Sequence, residues 1–449
     1  MTNTLYLPEL REMLADNNEA ELREFCEALH PARTAEFMEG LTPEESWQVL
    51  QQAPMPLRVE IFGFFDQEKQ VKILETIDRQ QIATLIGEMP PDDRVDLLNT
   101  VEPAVVEELM PLVPAEERRD IQRLSAYPEG TAGAVMTTEY ARFTEDMTVG
   151  QALEEITRQA QELETIYYLY VVDREGHLHG LLSARELLSA MRKPGTLIGD
   201  VMERDLVTVN VADDQEEVAQ KVARYNLTAV PVVDDERQML GIITHDDVLD
   251  VMVEEATEDA YRIAAVAPLE EGYLETRLSS LTWKRGIWLT ILFFAALATA
   301  LALSNYESEF ELFPWLVLFI PLVISTGGNS GNQSATLVIT ALSTGNIKLA
   351  DWWRVIRREL AMGMLLGGFL GAVSYFCSLA WAPGYIEALA IPITLLLVVL
   401  CGVLAGSALP LVFRRFGLDP ALMSNPFVAG LIDVVGIIIY MNVALMFLT

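Results

Sequence analysis

The stretch that decides the fold is "NPFVAGLIDVVGIIIY", residues 425–440. It lies in an apolar run, and Asp433 is the one charged residue between Pro420 and Thr449. An ionised carboxylate in hydrocarbon costs several kcal/mol, so such residues face a partner or a polar pathway. The apolar segments of this half of the chain contain no Lys or Arg that could pair with Asp433. The pattern therefore favours a cation pathway through a membrane over a packed ion pair.

Five segments of the C-terminal half are long and apolar enough to span a bilayer, which takes about 20 mostly apolar residues. They lie at about 287–304, 313–342, 360–381, 388–413 and 421–448. Lys and Arg occur in the loops before the first, before the third and after the fourth segment, whereas "SNYESEFELF" and "WAPGYIEALAIP" have none. Basic loops stay in the cytoplasm. We therefore expect a multi-pass protein of the cell (inner) membrane with its N-terminus cytoplasmic and its C-terminus outside.

Two polar stretches interrupt this apolar region. "STGGNSGNQSAT" (325–336) is predicted to interrupt the second span, and Asn425–Pro426 to break the start of the fifth helix. Irregular polar backbone at membrane depth requires surrounding protein or water. Packing of small residues between helices explains the glycines. It does not explain Asn329, Asn332 and Gln333 together, so we expect these side chains to border the pathway. Two copies of the chain around a two-fold axis would place two Asp433 side chains in one pore.

Charge is divided unevenly along the chain. Residues 1–286 hold 57 of the 65 acidic side chains but 25 of the 31 Lys and Arg, which leaves them at −32 of the total −34. This excludes nucleic acid as a partner, since phosphates demand Lys and Arg. It suits a soluble surface or one that attracts cations. The N-terminus has no apolar signal core, the cysteines have no metal spacing, and the four scattered histidines are interpreted as structural or surface residues.

The acidic part contains an internal repeat with an offset of 61 residues. "VVD" occurs at 171–173 and 232–234, followed by Gly180 and Gly241. Each unit reads strand, helix, strand, turn, strand, helix. The units, 131–194 and 195–254, resemble a CBS pair through "GLLSARE" and "GIITHDD". CBS pairs often bind adenine nucleotides, although many bind nothing. The residues at the usual ribose-contacting positions are Ser183, Glu186, Thr244 and Asp247.

Residues 1–130 read as short helices with Pro or polar starts, such as "TPEESWQVLQQA" and "PPDDRVDLLNTV". A repeat of about 12–15 residues predicts a superhelical stack. Residues 255–284 are predicted to form a linking helix. Before it, "DDVLDVMVEEATED" (246–259) gathers acids whose repulsion a divalent cation would relieve. The sequence contains no phosphate loop, nucleophile signature or metalloprotease helix, so we do not expect an enzyme.

This order of domains, with "TGGNSGNQSAT" and "SNPFVAGLIDVVG", resembles the MgtE family of Mg²⁺ channels over essentially the whole chain. The resemblance implies a multidomain membrane protein: an all-α superhelical N domain, an α/β CBS pair, a linking (plug) helix and a five-helix transmembrane domain at 285–449. It further implies a homodimeric, Mg²⁺-selective pore opened by low cytosolic Mg²⁺. Asp433 matches the family's membrane aspartate, with polar neighbours Asn329, Asn332, Thr336 and Asn425.

The family's regulatory Mg²⁺ lies between the cytosolic domains and the plug helix. The residues that match its ligands are Glu60, Asp92, Asp96, Asp214, Glu216, Ala223 (through its carbonyl), Asp247, Asp250, Glu255, Glu258, Asp259 and Asp419. Position 226 is Asn where the family pattern has an acid, so one regulatory site differs here.

Two other functions fit the same residues. A channel for Co²⁺ or Mn²⁺ would use similar oxygen ligands. A membrane-anchored nucleotide sensor would use the CBS pair and conduct nothing. We expect Mg²⁺ as the transported and regulatory ion, ATP as a further regulatory ligand of the CBS pair, and the lipid bilayer and a second copy of the chain as partners.

Overall fold

The computed structural model describes residues 5–160, 163–269, 272–274, 276–422 and 425–448. The chain divides into two compact units, Met1–Val251 and Met252–Thr449. The first holds a helical domain and two α/β repeats, and the second holds long apolar helices. The predicted multidomain arrangement is confirmed.

Ten short helices build the helical domain. Thr42 and Glu45 form a capping box at one helix start, and Asp78 accepts hydrogen bonds from two backbone N–H groups at another. Helices this short are marginal alone and depend on burying an apolar face. They pack against the next helix but one, α2 with α4, α4 with α6, α6 with α8 and α8 with α10, which produces the predicted stack. Their bounds are α1 Leu7–Ala15, α2 Glu19–Ala28, α3 Pro31–Met38, α4 Pro43–Leu50, α5 Met55–Gly63, α6 Gln67–Thr76, α7 Arg79–Gly87, α8 Pro91–Thr100, α9 Pro103–Leu109 and α10 Ala115–Leu124.

Two three-stranded sheets form the repeat. In each, the first strand runs parallel to the second and the second antiparallel to the third. The repeated glycines allow close packing, since a Cβ at Gly241 would lie 2.6 Å from the carbonyl oxygen of Thr137. The predicted order of elements is confirmed. The elements are β1 Tyr140–Phe143, α11 Val149–Gln159, β2 Thr165–Val172, β3 Leu178–Ser183, α12 Ala184–Ala190, then β4 Val209–Asn210, α13 Gln215–Tyr225, β5 Ala229–Val233, β6 Met239–Thr244 and α14 His245–Ile263.

The predicted linking helix at 255–284 is wrong in its extent. Helix α14 ends at Ile263, and the next helix starts at Leu278. Ala265 has a φ of 58°, and the N–H of Val266 reaches back to the carbonyl of Tyr261. A left-handed residue followed by such a bond ends helices, and Pro268 cannot continue one. The predicted linking helix is therefore replaced by the end of α14 and the first turns of α15, and its positions 270, 271 and 275 lie outside the described residues.

Five long helices form the second unit. They are α15 Leu278–Ser304, α17 Ile320–Ser343, α18 Trp352–Ser378, α19 Ala390–Arg415 and α20 Asn425–Leu448, with the short α16 Glu307–Leu312 after α15. By length and composition, four of the described helices could cross a membrane, namely α15, α18, α19 and α20. The remaining one, α17, is 24 residues long but carries a polar face. It packs against α19 and α20 and leaves a face that includes Asn329 and Gln333 exposed.

Helix α17 runs unbroken through "STGGNSGNQSAT", so the predicted interruption of this span is wrong. Its glycines serve contact between helices. A Cβ at Gly327 would lie 2.3 Å from Val398, and one at Gly406 of α19 would lie 2.1 Å from the carbonyl oxygen of Gly331. Pro426, likewise, begins helix α20 rather than breaking it, because proline fits the first helical turn.

Candidate functional site

Asp433 lies in α20, inside the bundle of the second unit, and is half-buried. It faces α17, where a Cβ at Gly328 would lie 3.7 Å from its Oδ1 atom. Among the described residues, no Lys, Arg or His forms an ion pair with it. A carboxylate without a cationic partner, on an element that packs among apolar helices, has the chemistry that a cation site requires.

A polar face of α17 lies beside α20. Asn329, Asn332, Gln333 and Thr336 recur at spacings of three and four residues, which places them on one helical face. Thr336 and the Asn425 side chain are joined by hydrogen bonds of 3.0 and 3.2 Å. The amide nitrogen of Asn332 donates to the carbonyl oxygens of Gly328 (3.3 Å) and Asn425 (2.5 Å). Together with Leu337, four of these residues line a cavity of about 420 Å³, from which Asn329 is absent.

A second carboxylate of this unit escaped the sequence reasoning. Glu359, in the second turn of α18, accepts a hydrogen bond of 2.5 Å from Ser334 Oγ on the buried side of α17. The predicted third span starts at residue 360, one residue after Glu359, whereas helix α18 starts at Trp352. The indication in the sequence was Ser334 itself, because a buried hydroxyl in an apolar bundle needs a polar partner on a neighbouring helix.

Three of the predicted regulatory carboxylates meet at the end of α14. Arg262 forms ion pairs with Glu258 and with Asp419. Ser343 Oγ, at the end of α17, donates to Asp259 Oδ2 over 2.8 Å. We call Glu258, Asp259 and Asp419 the mouth cluster. Glu255 lies one turn earlier on α14. The guanidinium of Arg262 thus holds two carboxylates at the positions where the resemblance expects a divalent cation.

A second acidic cluster lies within the first unit, around Asp92 of α8 and Asp247 of α14. Asp92 is only 7% exposed, and its Oδ1 atom has no hydrogen-bond partner among the described residues. Burial, and then the charge of Asp247, raise the pKa of Asp92 well above its usual range. We name Asp92 and its acidic neighbours the buried acid cluster, after Asp92. Its other members are the half-buried Asp247 and the exposed Asp93, Glu164 and Asp246. A buried carboxylate that has like charges nearby and no cationic partner is stabilised by a bound cation or by protonation.

Two further shifts show the same crowding. Burial and neighbouring acids raise the pKa of Asp247 to about 6, although hydrogen bonds from Thr244 oppose the change. Glu164 is exposed at the surface, yet the surrounding protein and then Asp247 raise its pKa to about 7. Glu164, Asp93 and Asp246 were not among the predicted ligands. No spacing in the sequence links Glu164 to α8, because a loop residue meets its neighbours only through tertiary packing.

The remaining predicted ligands are spread over the first unit. Glu60, Asp96, Ala223 and Asp250 are exposed on α5, α8, α13 and α14. Asp214 caps α13 by accepting from the N–H of Glu216 over 2.9 Å. Asn226 ends the same helix with a φ of 50°, a conformation that Asn adopts readily. The structure therefore gives Asn226 a helix-capping role.

The four predicted ribose-contacting residues form two matching helix caps. Ser183 and Glu186 make a capping box at α12, with 2.7 Å between Oγ and Oε2. Asp247 Oδ2 accepts from the N–H and Oγ1 of Thr244 over 3.2 and 2.5 Å at the start of α14. These caps give the four residues a structural role. The hydroxyl groups belong to Ser183 and Thr244, the last residues of β3 and β6.

Comparison with known families matches three parts of the chain. Residues 29–130 match the MgtE intracellular N domain, residues 132–193 and 198–254 match the CBS domain, and residues 320–443 match the MgtE divalent cation transporter domain. The magnesium transporter MgtE of Thermus thermophilus is 38% identical over 438 residues, which cover 97% of both chains. The chain belongs to the MgtE family. The MgtE of Enterococcus faecalis is 36% identical over 334 residues, covering 74% of this chain and 73% of its own.

Two solved structures resemble the N-terminal part of the chain. The soluble part of a magnesium transporter matches with a TM-score of 0.53 and 35% identity, over 56% of this chain and 97% of its own. The cytosolic domain of the Mg²⁺ channel MgtE in complex with ATP matches with a TM-score of 0.51 and 37% identity, over 54% of this chain and 98% of its own. The MgtE resemblance stated from the sequence is confirmed.

Proposed function

We propose that this chain forms a homodimeric channel that admits Mg²⁺ to the cytosol and closes when cytosolic Mg²⁺ binds its acidic clusters. The observation that carries the proposal is Asp433, a carboxylate inside the helix bundle with no cationic partner among the described residues. Its neighbour α17 presents amide and hydroxyl groups on one face. Membership of the MgtE family supports the same reading.

The chemistry of this face suits a hard divalent cation. Asp433, Asn329, Asn332, Thr336 and Asn425 offer oxygen ligands, which Mg²⁺ prefers, and Mg²⁺ gives up its hydration shell reluctantly. A ring of amides and hydroxyls can therefore hold a partly hydrated ion, while the carboxylate supplies the attraction. The described residues of this face include no Lys or Arg, which disfavours an anion.

The exposure of polar side chains on α17 supports a second copy of the chain. Asn329 and Gln333 are exposed on α17 in the single chain, at the same helical face as the half-buried Asn332. Polar groups facing hydrocarbon are costly. A two-fold partner that covers this face would enclose the polar residues in a common pore and bring two Asp433 side chains to it. The proposed pore therefore requires two copies of the chain.

The buried acid cluster provides the sensor. Asp92 and Asp247 have raised pKa values because ionisation brings like charges together in a buried place. A bound Mg²⁺ would neutralise them and supply a partner for Asp92 Oδ1. The resemblance adds Glu60, Asp96, Asp214, Glu216, Ala223 and Asp250 as ligands of further regulatory ions. A ligand shifts a two-state equilibrium only by its differential affinity, so several such ions acting together sharpen closure.

The mouth cluster provides the contact with the membrane helices. Helix α14 carries Asp247 and Asp250 at its start and Glu255, Glu258 and Asp259 in its later turns. Asp259 contacts α17 through Ser343, and Glu258 is joined to Asp419 through Arg262. Cations bound along α14 would therefore favour the state in which its end holds the helices next to the pore.

Orientation and nucleotide complete the proposal. The distribution of basic residues in the loops supports a cytoplasmic N-terminus and an external C-terminus. A related cytosolic domain has been solved with ATP, and we extend ATP binding to the cleft at Ser183, Glu186, Thr244 and Asp247. ATP that stabilises the compact state should raise the apparent Mg²⁺ affinity for closure. Calorimetry with ATP tests this binding. The absence of binding heat and of thermal stabilisation at millimolar ATP would contradict ATP binding at this cleft.

Flux into proteoliposomes tests the whole proposal. We expect the wild type to conduct Mg²⁺, and Asp433→Asn to lose conduction while retaining its oligomeric state. Glu309→Gln is the control, because it removes a carboxylate from α16 and leaves the polar face intact. Parallel measurements with Mn²⁺, Co²⁺ and Ca²⁺ decide between Mg²⁺ and another divalent ion. A chain that carries no divalent ion at all would instead be a nucleotide sensor.

A further inference from the structure

Two histidines and three carboxylates lie together at the β2–β3 turn of the first CBS repeat, outside the sites described above. Asp173 follows β2, and His177 and His179 lie at the start of β3. Glu145 lies in the loop after β1, and Glu175 is in the turn itself. Alternate residues of a strand share a face, so both imidazoles project to the same side. The sequence reasoning had treated these histidines as structural or surface residues.

The turn fixes one carboxylate between the two rings. Asp173 Oδ1 accepts from the N–H groups of Glu175 (2.8 Å) and His177 (2.9 Å). Its other oxygen, Oδ2, is hydrogen-bonded to His177 Nδ1 over 2.9 Å and lies 3.6 Å from His179 Nε2. Glu175 Oε2 is 3.7 Å from His177 Nδ1. Ligand atoms of Asp173, Glu175 and His177 all lie within 4.8 Å of one another.

Glu145 orients the second ring. Its Oε1 atom is 3.0 Å from His179 Nδ1, and Arg204 holds the carboxylate with hydrogen bonds of 3.1 and 3.3 Å. With Nδ1 committed to Glu145, Nε2 presents its lone pair toward Asp173. Metal-bound histidines have this arrangement, in which the outer nitrogen donates to a carboxylate. The 3.6 Å gap between Nε2 and Oδ2 is too long for a hydrogen bond. It is close to the edge, about 3.4 Å, of a tetrahedron with metal–ligand bonds near 2.1 Å.

The second CBS repeat shows that the turn does not need histidine. Asp234 Oδ1 accepts from the N–H groups of Glu236 (2.9 Å) and Gln238 (2.8 Å), as Asp173 does in the first repeat. At the offset of 61 residues, Gln238 and Leu240 stand where the first repeat has His177 and His179. The same backbone turn thus forms without imidazoles, so folding does not explain the histidine pair.

We propose that Asp173, His177 and His179 bind a transition-metal ion of the Zn²⁺, Co²⁺ and Ni²⁺ class, with Glu175 as a further ligand. Glu145 is a positioning residue that acts through His179. Imidazole suits these ions, whereas Mg²⁺ requires oxygen ligands in octahedral geometry. The site therefore distinguishes the bound metal from the transported ion, and the inference stands independently of the proposed channel function.

Co²⁺ titration of the full-length protein in detergent tests the site, followed by the visible d–d absorption of the bound ion. Millimolar Mg²⁺ is present throughout to occupy the carboxylate sites. The principal variant is His177→Gln with His179→Leu, which gives the first turn the residues of the second repeat. The control is His30→Ala, which removes a histidine that caps α3 in the helical domain. The apparent Tm in chelator verifies that every variant is folded.

We expect one saturable Co²⁺ per wild-type chain, displaced by Zn²⁺, and no change in His30→Ala. The double variant should lose the absorption, and Glu145→Gln should weaken Co²⁺ binding about tenfold, since the loss of such an outer partner costs 10–100-fold in affinity. Zn²⁺ should raise the apparent Tm of the wild type but not of the double variant. The inference is overturned if the wild type shows no saturable Co²⁺ spectrum in Mg²⁺, or if the folded double variant keeps it.

Discussion

Asp247→Asn should stabilise the first unit when divalent cations are absent. Ionised Asp247 lies beside Asp246 and Asp93, and burial with this crowding raises its pKa from 3.8 to about 6. A carboxyl whose pKa is raised in the folded state contributes its stability fully below the unfolded value of 3.8. That contribution is lost as the pH rises through about 6. At pH 8 the ionised side chain is therefore a net cost to the fold.

The size of the effect follows from the shift. Two pKa units correspond to about 3 kcal/mol at most, and coupling to neighbouring acids reduces the value for one residue. Replacing the carboxylate weakens the cap that it forms with Thr244, which costs about 1 kcal/mol. We expect a net gain of about 1–2 kcal/mol at pH 8. For a unit of 251 residues this is an increase in Tm of about 2–8 °C.

Thermal unfolding of the cytosolic fragment 1–263 in EDTA and in Mg²⁺ measures this. The matched control is Glu186→Gln, which weakens the corresponding cap of the first repeat and lies 61 residues earlier. We expect Glu186→Gln to lower the Tm slightly and to keep the Mg²⁺-dependent increase. Asp247→Asn should raise the Tm in EDTA and lose most of that increase. If Asp247→Asn lowers the Tm in EDTA as much as Glu186→Gln does, repulsion within the buried acid cluster does not destabilise the fold, which would contradict this prediction.

Three other predictions concern pH, Arg262 and the helix packing. In EDTA the Tm of the wild-type fragment should rise as the pH falls from 8 to 5.5, because Asp247 and Glu164 take up protons with pKa values of about 6 and 7; a flat profile counts against their shifts. Arg262→Met frees two carboxylates of the mouth cluster, so the open probability without Mg²⁺ should increase in single-channel recording, whereas unchanged gating denies the ion pair a role. Gly406→Ala places a methyl group 2.1 Å from a carbonyl oxygen of α17 and should abolish the yield of folded protein in size-exclusion chromatography, while Gly368→Ala, with open space around it, should be tolerated.

The order of domains was predictable because each part has a local signature. Short helices with capped starts, a repeat with matching glycines and apolar runs of bilayer length all depend on nearby residues. The prediction for the polar stretch of α17 was wrong. Its polar residues and glycines suggested irregular backbone, although Asn329, Asn332, Gln333 and Thr336 have helical spacing. Gly327, Gly328 and Gly331 of the same stretch face α19 and α20, and only the packed bundle shows this.

The candidate sites were predictable where acidic residues lie on one helix and not where separate elements meet. The density of acids in residues 246–259 indicated a candidate cation site, and the family resemblance implied which five carboxylates of α14 belong to it. Glu164 and Glu359 could not be found in this way, since each reaches its site through tertiary packing. Pro268 is the signal in the sequence for the end of α14 at Ile263, because helical periodicity alone does not mark the left-handed residue Ala265. His177 and His179 alternate along a strand after an Asp turn, and that spacing was the overlooked indication of a shared face.

The most direct test of the central claim is Mg²⁺ influx into proteoliposomes as a function of Mg²⁺ on the cytosolic side of the protein. We predict that wild-type influx is high at micromolar cytosolic Mg²⁺ and collapses near the millimolar range. Combined neutralisation of Asp92, Asp247 and Glu258 should leave influx high across the same range. Wild-type influx that does not respond to cytosolic Mg²⁺, or a triple variant that closes at the wild-type concentration, would contradict the assignment of these carboxylates as the sensor.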